Sequence, residues 1–216
     1  MAERKLILIG GGGHCKSCID VIEQIGAFQI AGILDKPGLV GSSILNYPIV
    51  GTDDEIGNLI KSGYSFLITV GHIKSADIRK NIFNGLKNSG ADIATIISPL
   101  AYVSKYANVG RGTIIMHGAK VNAGAKIGAN VILNTGCNIE HDAVIGNNSH
   151  ISTCAVVNGD AVIGHEVFIG SNATVSGQVS ITNNCVIGAG TVVHKSIDFS
   201  GVYIGSTFSK MEPGSK

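Results

Sequence analysis

The chain has 216 residues, 44% of them hydrophobic and 14% charged, which excludes a disordered polypeptide and allows one large or two small folded domains. Sixteen lysines and arginines against fifteen acidic residues give a net charge of +1. Because there is no surplus of basic residues, the composition does not indicate nucleic acid or an anionic membrane as a partner. Glycine is abundant at 30 residues, while tryptophan is absent. This composition indicates many turns and closely stacked backbone rather than an aromatic core.

The N-terminal sequence does not resemble a secretion signal. Its apolar run, Leu6–Ile9, is shorter than the apolar segment of a signal peptide and is followed by glycines. No stretch reaches the roughly eighteen apolar residues of a membrane span. The five cysteines are an odd number in a chain without a secretion signal, so we expect them to be reduced. These features predict a cytoplasmic protein.

Strand and helix signals alternate over residues 1–97. Buried-strand and helical patterns predict, in chain order, strand Lys5–Ile9, helix His14–Ile25, strand Gln29–Leu34, helix Asp53–Ile60 opened by an aspartate cap, strand Ser65–Val70, helix Ser75–Asn88 and strand Asp92–Ile97. Such alternation is typical of a parallel sheet with helical crossovers. We therefore predict a small Rossmann-like α/β domain in this part of the chain.

Residues 98–199 follow a six-residue period instead. Steps of six from Val103 to Val193 meet sixteen consecutive Val, Ile or Leu residues, and small residues such as Ala119 and Ala143 come two positions before them. A fixed hexapeptide period predicts a parallel β-helix, in which three hexads make one triangular coil. Residues 200–216 are predicted to form a C-terminal tail.

Residues 18 apart stack along the same edge of such a β-helix, so columns can be read from the sequence. One column lies at a corner of the β-helix, where the turn is predicted to need a backbone conformation that residues other than glycine resist. It consists of Gly110, Gly128, Gly146 and Gly164. A second column lies one residue before the core position and is predicted to point outward, buried against another subunit of a closed trimer. It consists of Ile114, Ile132, His150, Phe168 and Val186.

A third column places a histidine among small residues. It consists of Lys105, Ala123, His141, Gly159 and Gly177. The small neighbours leave a slot where a substrate and a long, thin cofactor can approach the imidazole of His141. The flanking Glu140 and Asp142 are acids that can orient or polarise the ring. His141 is the candidate catalytic residue, and an ordinary solvated corner histidine is the alternative interpretation.

Two segments resemble a known family. Together with the hexapeptide run, Asn134–Asp142 (NTGCNIEHD) and Ile7–His14 (ILIGGGGH) are similar to the bacterial sugar acetyltransferases of the left-handed β-helix superfamily. The branch includes the N-acetyltransferases of UDP-N-acetylbacillosamine and GDP-perosamine and the sialic acid O-acetyltransferases. The resemblance covers nearly the whole chain. It implies a left-handed β-helix and acetyl-CoA as cosubstrate, with no metal.

The resemblance also implies functional residues in the β-helix. A histidine matching His141 is the general base, and an acid matching Asp142 raises its basicity, although some relatives carry glutamate there. The acetyl group passes directly from the thioester to a sugar amine or hydroxyl, without an acyl-enzyme. Acetyl-CoA lies in a groove between adjacent subunits of a homotrimer. The matching cofactor-binding positions are His150, Gly159, Ser171 and Ala189.

The N-terminal glycine run lies between a strand and a helix, where free N–H groups favour a phosphate. The full G-x-G-x-x-G fingerprint is not met, which speaks against a dehydrogenase. The turn can also serve only close packing of strand and helix. The resemblance implies that this domain holds a nucleotide sugar, with Asp35 on the nucleotide and His14 near the reacting sugar. The predicted substrate-binding residues are Gly11, Gly12, Gly13, His14, Asp35 and Gly71.

One segment departs from the family pattern. Many relatives end the β-helix with a G-x-P-A-[KR] segment that touches CoA, whereas Ile204–Lys210 has no proline. A zinc-dependent carbonic anhydrase is disfavoured, because His117, His141 and His165 are 24 residues apart and fall on different corners. Cys15 and Cys18 have no second cysteine pair that would complete a zinc site.

The expected function is acetyl-CoA-dependent N-acetylation of a nucleotide-linked amino-dideoxy sugar, of the UDP-4-amino sugar type, in surface-glycan biosynthesis. The alternative is O-acetylation of a sialic acid-like sugar, whose carboxylate requires a cation such as Lys16, Lys74 or Arg79. A non-catalytic trimeric scaffold is a third possibility for a solenoid. Loss of acetyl transfer in a folded His141→Ala protein excludes the scaffold.

Overall fold

The computed structural model describes residues 4–205. Its N-terminal part is a six-stranded sheet in the order β3-β4-β2-β1-β5-β6, parallel except for the antiparallel β3–β4 pair. The strands are β1 Arg4–Ile9, β2 Phe28–Leu34, β3 Ser43–Ile44, β4 Tyr47–Gly51, β5 Ser65–Ile68 and β6 Asp92–Ile93. The helices are α1 Gly13–Ile25, α2 Ile56–Lys61 and α3 Asp77–Asn88, with short 3-10 turns at Pro37–Leu39 and Asp53–Glu55. The apolar run of β1 forms the centre of this sheet.

Several predicted elements differ from those observed. Asp53 does not cap α2, because it belongs to the 3-10 turn that precedes this helix. Thr52 caps that turn, and its hydroxyl accepts from the Asp54 N–H at 3.4 Å. The β3–β4 hairpin was not predicted, because its strands are short and carry no clear apolar alternation. The strand expected over Asp92–Ile97 is two strands, and Ile96–Ile97 pairs with Ile114–Ile115 in the second part of the chain.

The second part is a left-handed parallel β-helix with three sheets, which confirms the predicted fold class. The first sheet contains Ile96–Ile97, Ile114–Ile115, Ile132–Leu133, His150–Ile151, Phe168–Ile169, Cys185–Ile187 and Gly201–Tyr203. The second contains Tyr102–Val103, Lys120–Val121, Asn138–Ile139, Val156–Val157, Thr174–Val175 and Val192–Val193. The third contains Asn108–Val109, Lys126–Ile127, Val144–Ile145, Val162–Ile163 and Ser180–Ile181. Every coil therefore has three faces and three corners.

The six-residue period builds the interior of the β-helix. From Ile115 to Val193 each predicted core residue is buried, and Val103 and Val109 pack against the same cluster at its N-terminal end. The small residues two positions earlier, such as Ala119 and Cys137, are fully buried as well. Because a strand of two residues directs one side chain inward and one outward, only one bulky residue per hexad enters the core.

The predicted glycine column occurs for a different reason from the one expected. None of its four residues has a positive φ. A Cβ on Gly146 instead would lie 2.4 Å from the backbone carbonyl of Gly164, so the column allows close approach of successive coils. The left-handed conformation recurs at another position of the hexad, occupied by residues such as Asn130, Asp142 and Asn148 with φ near 59°.

The outward apolar stripe is covered by the protein's own N-terminal domain, so the inference of a second subunit from this stripe was wrong. Ile114 and Ile132 are fully buried in one cluster with Cys18 and Ile19 of α1. His150 is 7% exposed and Phe168 8% exposed in the single chain. The covering could not be predicted from the repeat, because it depends on how two separate parts of the chain pack.

Polar side chains join the two domains around α3. Arg79 is fully buried, and its guanidinium donates to the carbonyls of Ile68 at 2.6 Å, Val70 at 3.0 Å and Asn130 at 3.2 Å. The next residue, Lys80, forms an ion pair with Glu166 of the β-helix at 2.8 Å. Arg79 therefore links the end of β5 to a β-helix turn.

Within residues 4–205, no helix has the length and apolar character needed to cross a bilayer.

Candidate active site

A cavity of about 1160 Å³ opens at the carboxyl edge of the N-terminal sheet, where it meets the β-helix. Ligands of open α/β sheets bind at this edge, and single-ligand sites usually occupy about 300–1,000 Å³. The cavity is large enough for a molecule of several rings. All six residues predicted to bind substrate line it: Gly11, Gly12, Gly13, His14, Asp35 and Gly71.

The glycine turn is held by a carboxylate from the neighbouring strand. Asp35, directly after β2, accepts the Gly11 N–H on Oδ2 at 2.5 Å and the Lys36 N–H on Oδ1 at 2.7 Å. A Cβ on Gly11 would lie only 3.0 Å from that carboxylate. Gly13 and His14, the first residues of α1, line the cavity, and the first N–H groups of a helix have no carbonyl partner within it. The turn therefore presents amide donors to an anion, as a phosphate site requires.

Three imidazoles gather at the deeper side of the cavity. The ring centroid of His150 lies 5.5 Å from that of His72 and 6.3 Å from that of His14. His150 Nδ1 donates to the His72 carbonyl at 2.8 Å, so its Nε2 is bare and accepts from the Asn134 side-chain amide at 3.2 Å. One neutral tautomer of His150 satisfies both contacts.

Burial keeps these histidines uncharged. It lowers the pKa of His14 and of His72 to about 3 and that of His150 to about 4. The positive charge of the buried Arg79 contributes to the lowering of all three pKa values. At neutral pH the deep side of the cavity therefore carries hydrogen-bonding groups without net charge.

The predicted catalytic pair lies elsewhere on the same chain. His141 and Asp142 are exposed at the corner between the second and third sheets. His141 Nδ1 and Asp142 Oδ2 are 3.0 Å apart, so the aspartate makes the contact despite being shorter than glutamate. The left-handed backbone of Asp142 and the absence of a side chain on Gly124 allow this, since a Cβ on Gly124 would lie 2.2 Å from Asp142 Oδ1.

This contact has a chemical consequence for His141. The hydrogen bond with Asp142, followed by the charges of Asp142, Asp160 and Glu140, raises the pKa of the imidazole. A proton on Nδ1 leaves Nε2 with a free lone pair. The ring lies over Gly159, where a Cβ would be 2.7 Å from His141 Nε2. Glu140 does not contact the ring, because Asn122 and Asn138 donate to its two oxygens at 2.9 and 2.7 Å.

The four predicted cofactor-binding residues divide between two places. Gly159 lies under His141 at the corner between the second and third sheets. His150 lines the cavity, and Ser171 and Ala189 follow from it along the corner between the first and second sheets. Ser171 Oγ is 3.0 Å from Ser152 Oγ. Within one chain, the structure therefore does not bring the two groups together.

Sequence reasoning missed eight residues that line the cavity: Ser17, Thr69, Val70, His72, Ile73, Asn134, Thr135 and Thr153. Two of them carried a readable signal, because Thr135 and Thr153 are 18 apart and begin the column that continues to Ser171 and Ala189. Adjacent coils are about 4.8 Å apart, so this column continues for about 10 Å along the β-helix beyond the cavity. A long, thin ligand can lie along such a column of small residues.

Other candidate residues have structural roles. His117 contacts Ser98 Oγ at 2.6 Å and Asp20 at 2.9 Å, which ties α1 to the β-helix. His165 Nδ1 accepts the Asn147 N–H at 2.9 Å within the coil stack. The thiols of Cys15 and Cys18 are buried, and burial raises both of their pKa values. In the part of the chain that the structure describes, no three His, Cys, Asp or Glu side chains are arranged to hold a metal ion.

Comparison with known proteins agrees with this arrangement. The family model described as PglD N-terminal domain matches residues 5–86, and the bacterial transferase hexapeptide model (six repeats) matches residues 124–159 and 160–195. The acetyltransferase domain of PglB from Neisseria gonorrhoeae FA1090 is 29% identical, with a TM-score of 0.88 over 94% of this chain and 97% of that one. The two models together match most of the chain, and its structural neighbours are hexapeptide-repeat sugar acetyltransferases. The chain is an acyltransferase, as the sequence predicted.

Two further structures extend the comparison of this acetyltransferase. PerB from Caulobacter crescentus, in complex with CoA and GDP-perosamine, is 29% identical, with a TM-score of 0.87 over 94% of this chain and 95% of that one. WeeI from Acinetobacter baumannii AYE is 19% identical, with a TM-score of 0.83 over 94% and 97%, and shares the fold. The PglB domain also has a structure in complex with acetyl coenzyme A. No curated protein sequence gave a match.

Proposed function

We propose that this acetyltransferase transfers the acetyl group of acetyl-CoA to the amine of a nucleotide-linked amino-dideoxy sugar in surface-glycan biosynthesis, in the cytoplasm. The observation that carries the proposal is the cavity that the glycine turn, three neutral histidines and two threonines of the β-helix line together. The glycine turn suits the diphosphate, and the neutral deep side suits an uncharged sugar. The column of Thr135, Thr153, Ser171 and Ala189 suits the pantetheine arm of CoA.

The position of His141 supports a homotrimer as the working form. One whole sheet face of the β-helix separates His141 from the cavity of its own chain. A general base must be within hydrogen-bond reach of the proton that it takes. Three copies around an axis bring the His141 corner of one chain to the cavity corner of the next, so each active site takes residues from two chains.

In the proposed reaction His141 acts as the general base. Its Nε2 takes a proton from the sugar amine as the nitrogen attacks the acetyl carbonyl, and the Asp142 carboxylate stabilises the imidazolium that forms. The new C–N bond forms, the C–S bond breaks, and the imidazolium returns the proton to the departing thiolate. Backbone N–H groups of the corner can stabilise the oxyanion. The products are the amide and free CoA.

O-acetylation of a sialic acid-like sugar has less support. Its carboxylate requires a cation, and Arg79 is fully buried on three carbonyls, while Lys16 does not line the cavity. Only Lys74 of the three candidates reaches the cavity. The relative PerB, described with GDP-perosamine, favours a nucleotide-linked amine as the acceptor.

A thiol-release assay tests the proposal. Purified protein is mixed with acetyl-CoA and a panel of UDP-, GDP- and dTDP-linked 4-amino-4,6-dideoxy sugars, with free sialic and legionaminic acids as alternative acceptors. Turnover of one nucleotide-linked amine, lost in a folded His141→Ala protein, is the expected result. Turnover only with a free acid sugar contradicts the proposal in favour of O-acetylation.

The homotrimer can be tested in the same preparation. Mixing the His141→Ala protein with a glycine-turn variant, Gly11→Val, lets each supply what the other lacks at a shared site. Recovery of activity after subunit exchange is expected if the two chains complement one another. A monomer by light scattering at assay concentration contradicts the shared site.

A further inference from the structure

His72 lines the cavity, and its imidazole has no hydrogen-bond partner. It lies four residues after β5, at the carboxyl edge of the sheet, and its side chain is 8% exposed. Neither Nδ1 nor Nε2 has a partner, and both nitrogens are covered from solvent. Its backbone carbonyl is used, since it accepts from His150. Burial of an imidazole without hydrogen bonds costs free energy unless a bound ligand supplies the missing partner.

The surroundings of His72 determine what it can bind. Its ring meets that of His150 edge-on at 64°, and the His150 ring in turn lies 6.3 Å from that of His14. The charge of the buried Arg79 also acts on His72. Burial, with His150 and Arg79, lowers the pKa of His72 to about 3, so the ring is neutral. A neutral imidazole offers one N–H donor and one bare nitrogen acceptor. The Nε2 atom of His14 is also buried without a partner.

A hydroxyl group matches this pair of rings better than a charged group does. A hydroxyl donates and accepts, so it can satisfy an N–H on one ring and a bare nitrogen on another. A carboxylate offers acceptors only and leaves the bare nitrogens unpaired. An ammonium group offers donors only and lies in the field of the Arg79 guanidinium, which repels it.

The geometry points to His72 as a specificity-determining residue that, with His14, binds a hydroxyl group on the sugar ring of the acceptor. This rests on the proposed function, because it assumes a nucleotide sugar in the cavity. A rotation of the His72 ring about its side-chain bonds turns one covered nitrogen toward the cavity that the residue already lines. The glycine turn then binds the diphosphate, and His72 and His14 form hydrogen bonds with a hydroxyl of the sugar.

Calorimetric binding without acetyl-CoA tests this assignment. The ligands are UDP and GDP and their 4-amino-4,6-dideoxy sugar conjugates, titrated into the full-length protein and into His72→Phe. Phenylalanine keeps the ring and removes both nitrogens. The wild-type protein should bind one conjugate more tightly than its diphosphate, and His72→Phe should lose roughly tenfold in affinity for that conjugate. Affinity for the bare diphosphate should not change.

A stability measurement separates this role from simple packing. Because His72→Phe removes two buried atoms without partners, the apo variant should unfold at the same or a higher urea concentration than the wild type at pH 7.5. His194→Phe, at an exposed histidine outside the cavity, is the matched control and should leave both affinity and stability unchanged. A packing role predicts lower stability for His72→Phe instead.

Three outcomes overturn the assignment: unchanged affinity of His72→Phe for the conjugate, an equal loss for the diphosphate, or no preference of the wild type for either conjugate. The thiol-release assay is independent of all three. Turnover that needs His141 but not His72 leaves the proposed function intact and removes the sugar contact. Sugar binding that needs His72, in a protein that releases no thiol, retains the sugar site and contradicts acetyl transfer.

Discussion

The buried histidines should make the protein sensitive to mild acid. The pKa values of His72 and His150 are lowered to about 3 and about 4 in the folded state, against an ordinary value of 6.5. Below pH 6.5 the unfolded chain binds protons that the folded chain does not. The stability that these two groups contribute is therefore complete above pH 6.5 and falls as the pH approaches 4.

The size of the effect follows from the shifts. Each unit of pH below 6.5 costs about 1.4 kcal/mol per histidine that stays neutral only in the folded state. At pH 5 this amounts to about 2 kcal/mol for each of His72 and His150, and to as much again for His14, whose pKa is also lowered to about 3. The free energy of unfolding should therefore fall by about 6 kcal/mol between pH 7.5 and 5. A typical domain has only about 5–15 kcal/mol in total.

Urea unfolding followed by circular dichroism at several pH values between 7.5 and 5 measures the slope. In His72→Phe the slope below pH 6.5 should decrease by about 1.4 kcal/mol per pH unit, which is one proton. His194→Phe controls for the introduction of a phenylalanine. A free energy of unfolding that is constant from pH 7.5 to 5, or an unchanged slope in His72→Phe, would refute the assignment of neutral buried imidazoles.

Three further predictions concern the corner histidine and the domain link. Asp142→Asn, which suits the left-handed backbone at this position, removes the carboxylate that raises the pKa of His141. The acid limb of the pH profile of kcat/KM should therefore move to lower pH, and kcat should fall about tenfold or more. An acid limb that does not move contradicts the contact between Asp142 and His141. Gly159→Ala places a methyl group 2.7 Å from the ring of His141. The rate of thiol release should fall, while the midpoint of urea unfolding should equal that of the wild type. A variant as active as the wild type would show that the position of the His141 ring is unimportant. Arg79→Met leaves three carbonyls unpaired and should lower the free energy of unfolding by about 3 kcal/mol or more, and a loss below about 1 kcal/mol would show that the link contributes little.

The sequence alone determined the β-helix and the nature of its core. A strand directs alternate side chains to opposite faces, so a six-residue period reports which residues point inward without any knowledge of distant contacts. The same local logic identified the glycine turn between strand and helix, and all six predicted substrate residues line the cavity. The roles proposed for His141 and Asp142 came from a resemblance and stay a proposal, although their 3.0 Å contact exists.

Tertiary structure decided everything that depends on two distant segments meeting. The outward stripe beginning with Ile114 is apolar in the sequence, but only the packing of α1 against it shows that the chain covers its own surface. The sequence offered Arg79 as a cation for a substrate carboxylate, but in the structure its guanidinium donates to three backbone carbonyls. His72 carries no motif, and its neutral, unpartnered state arises only where Gly71, His150 and Arg79 converge. A repeat period describes local side-chain direction, whereas burial, charge and access arise from contacts between residues far apart in the chain.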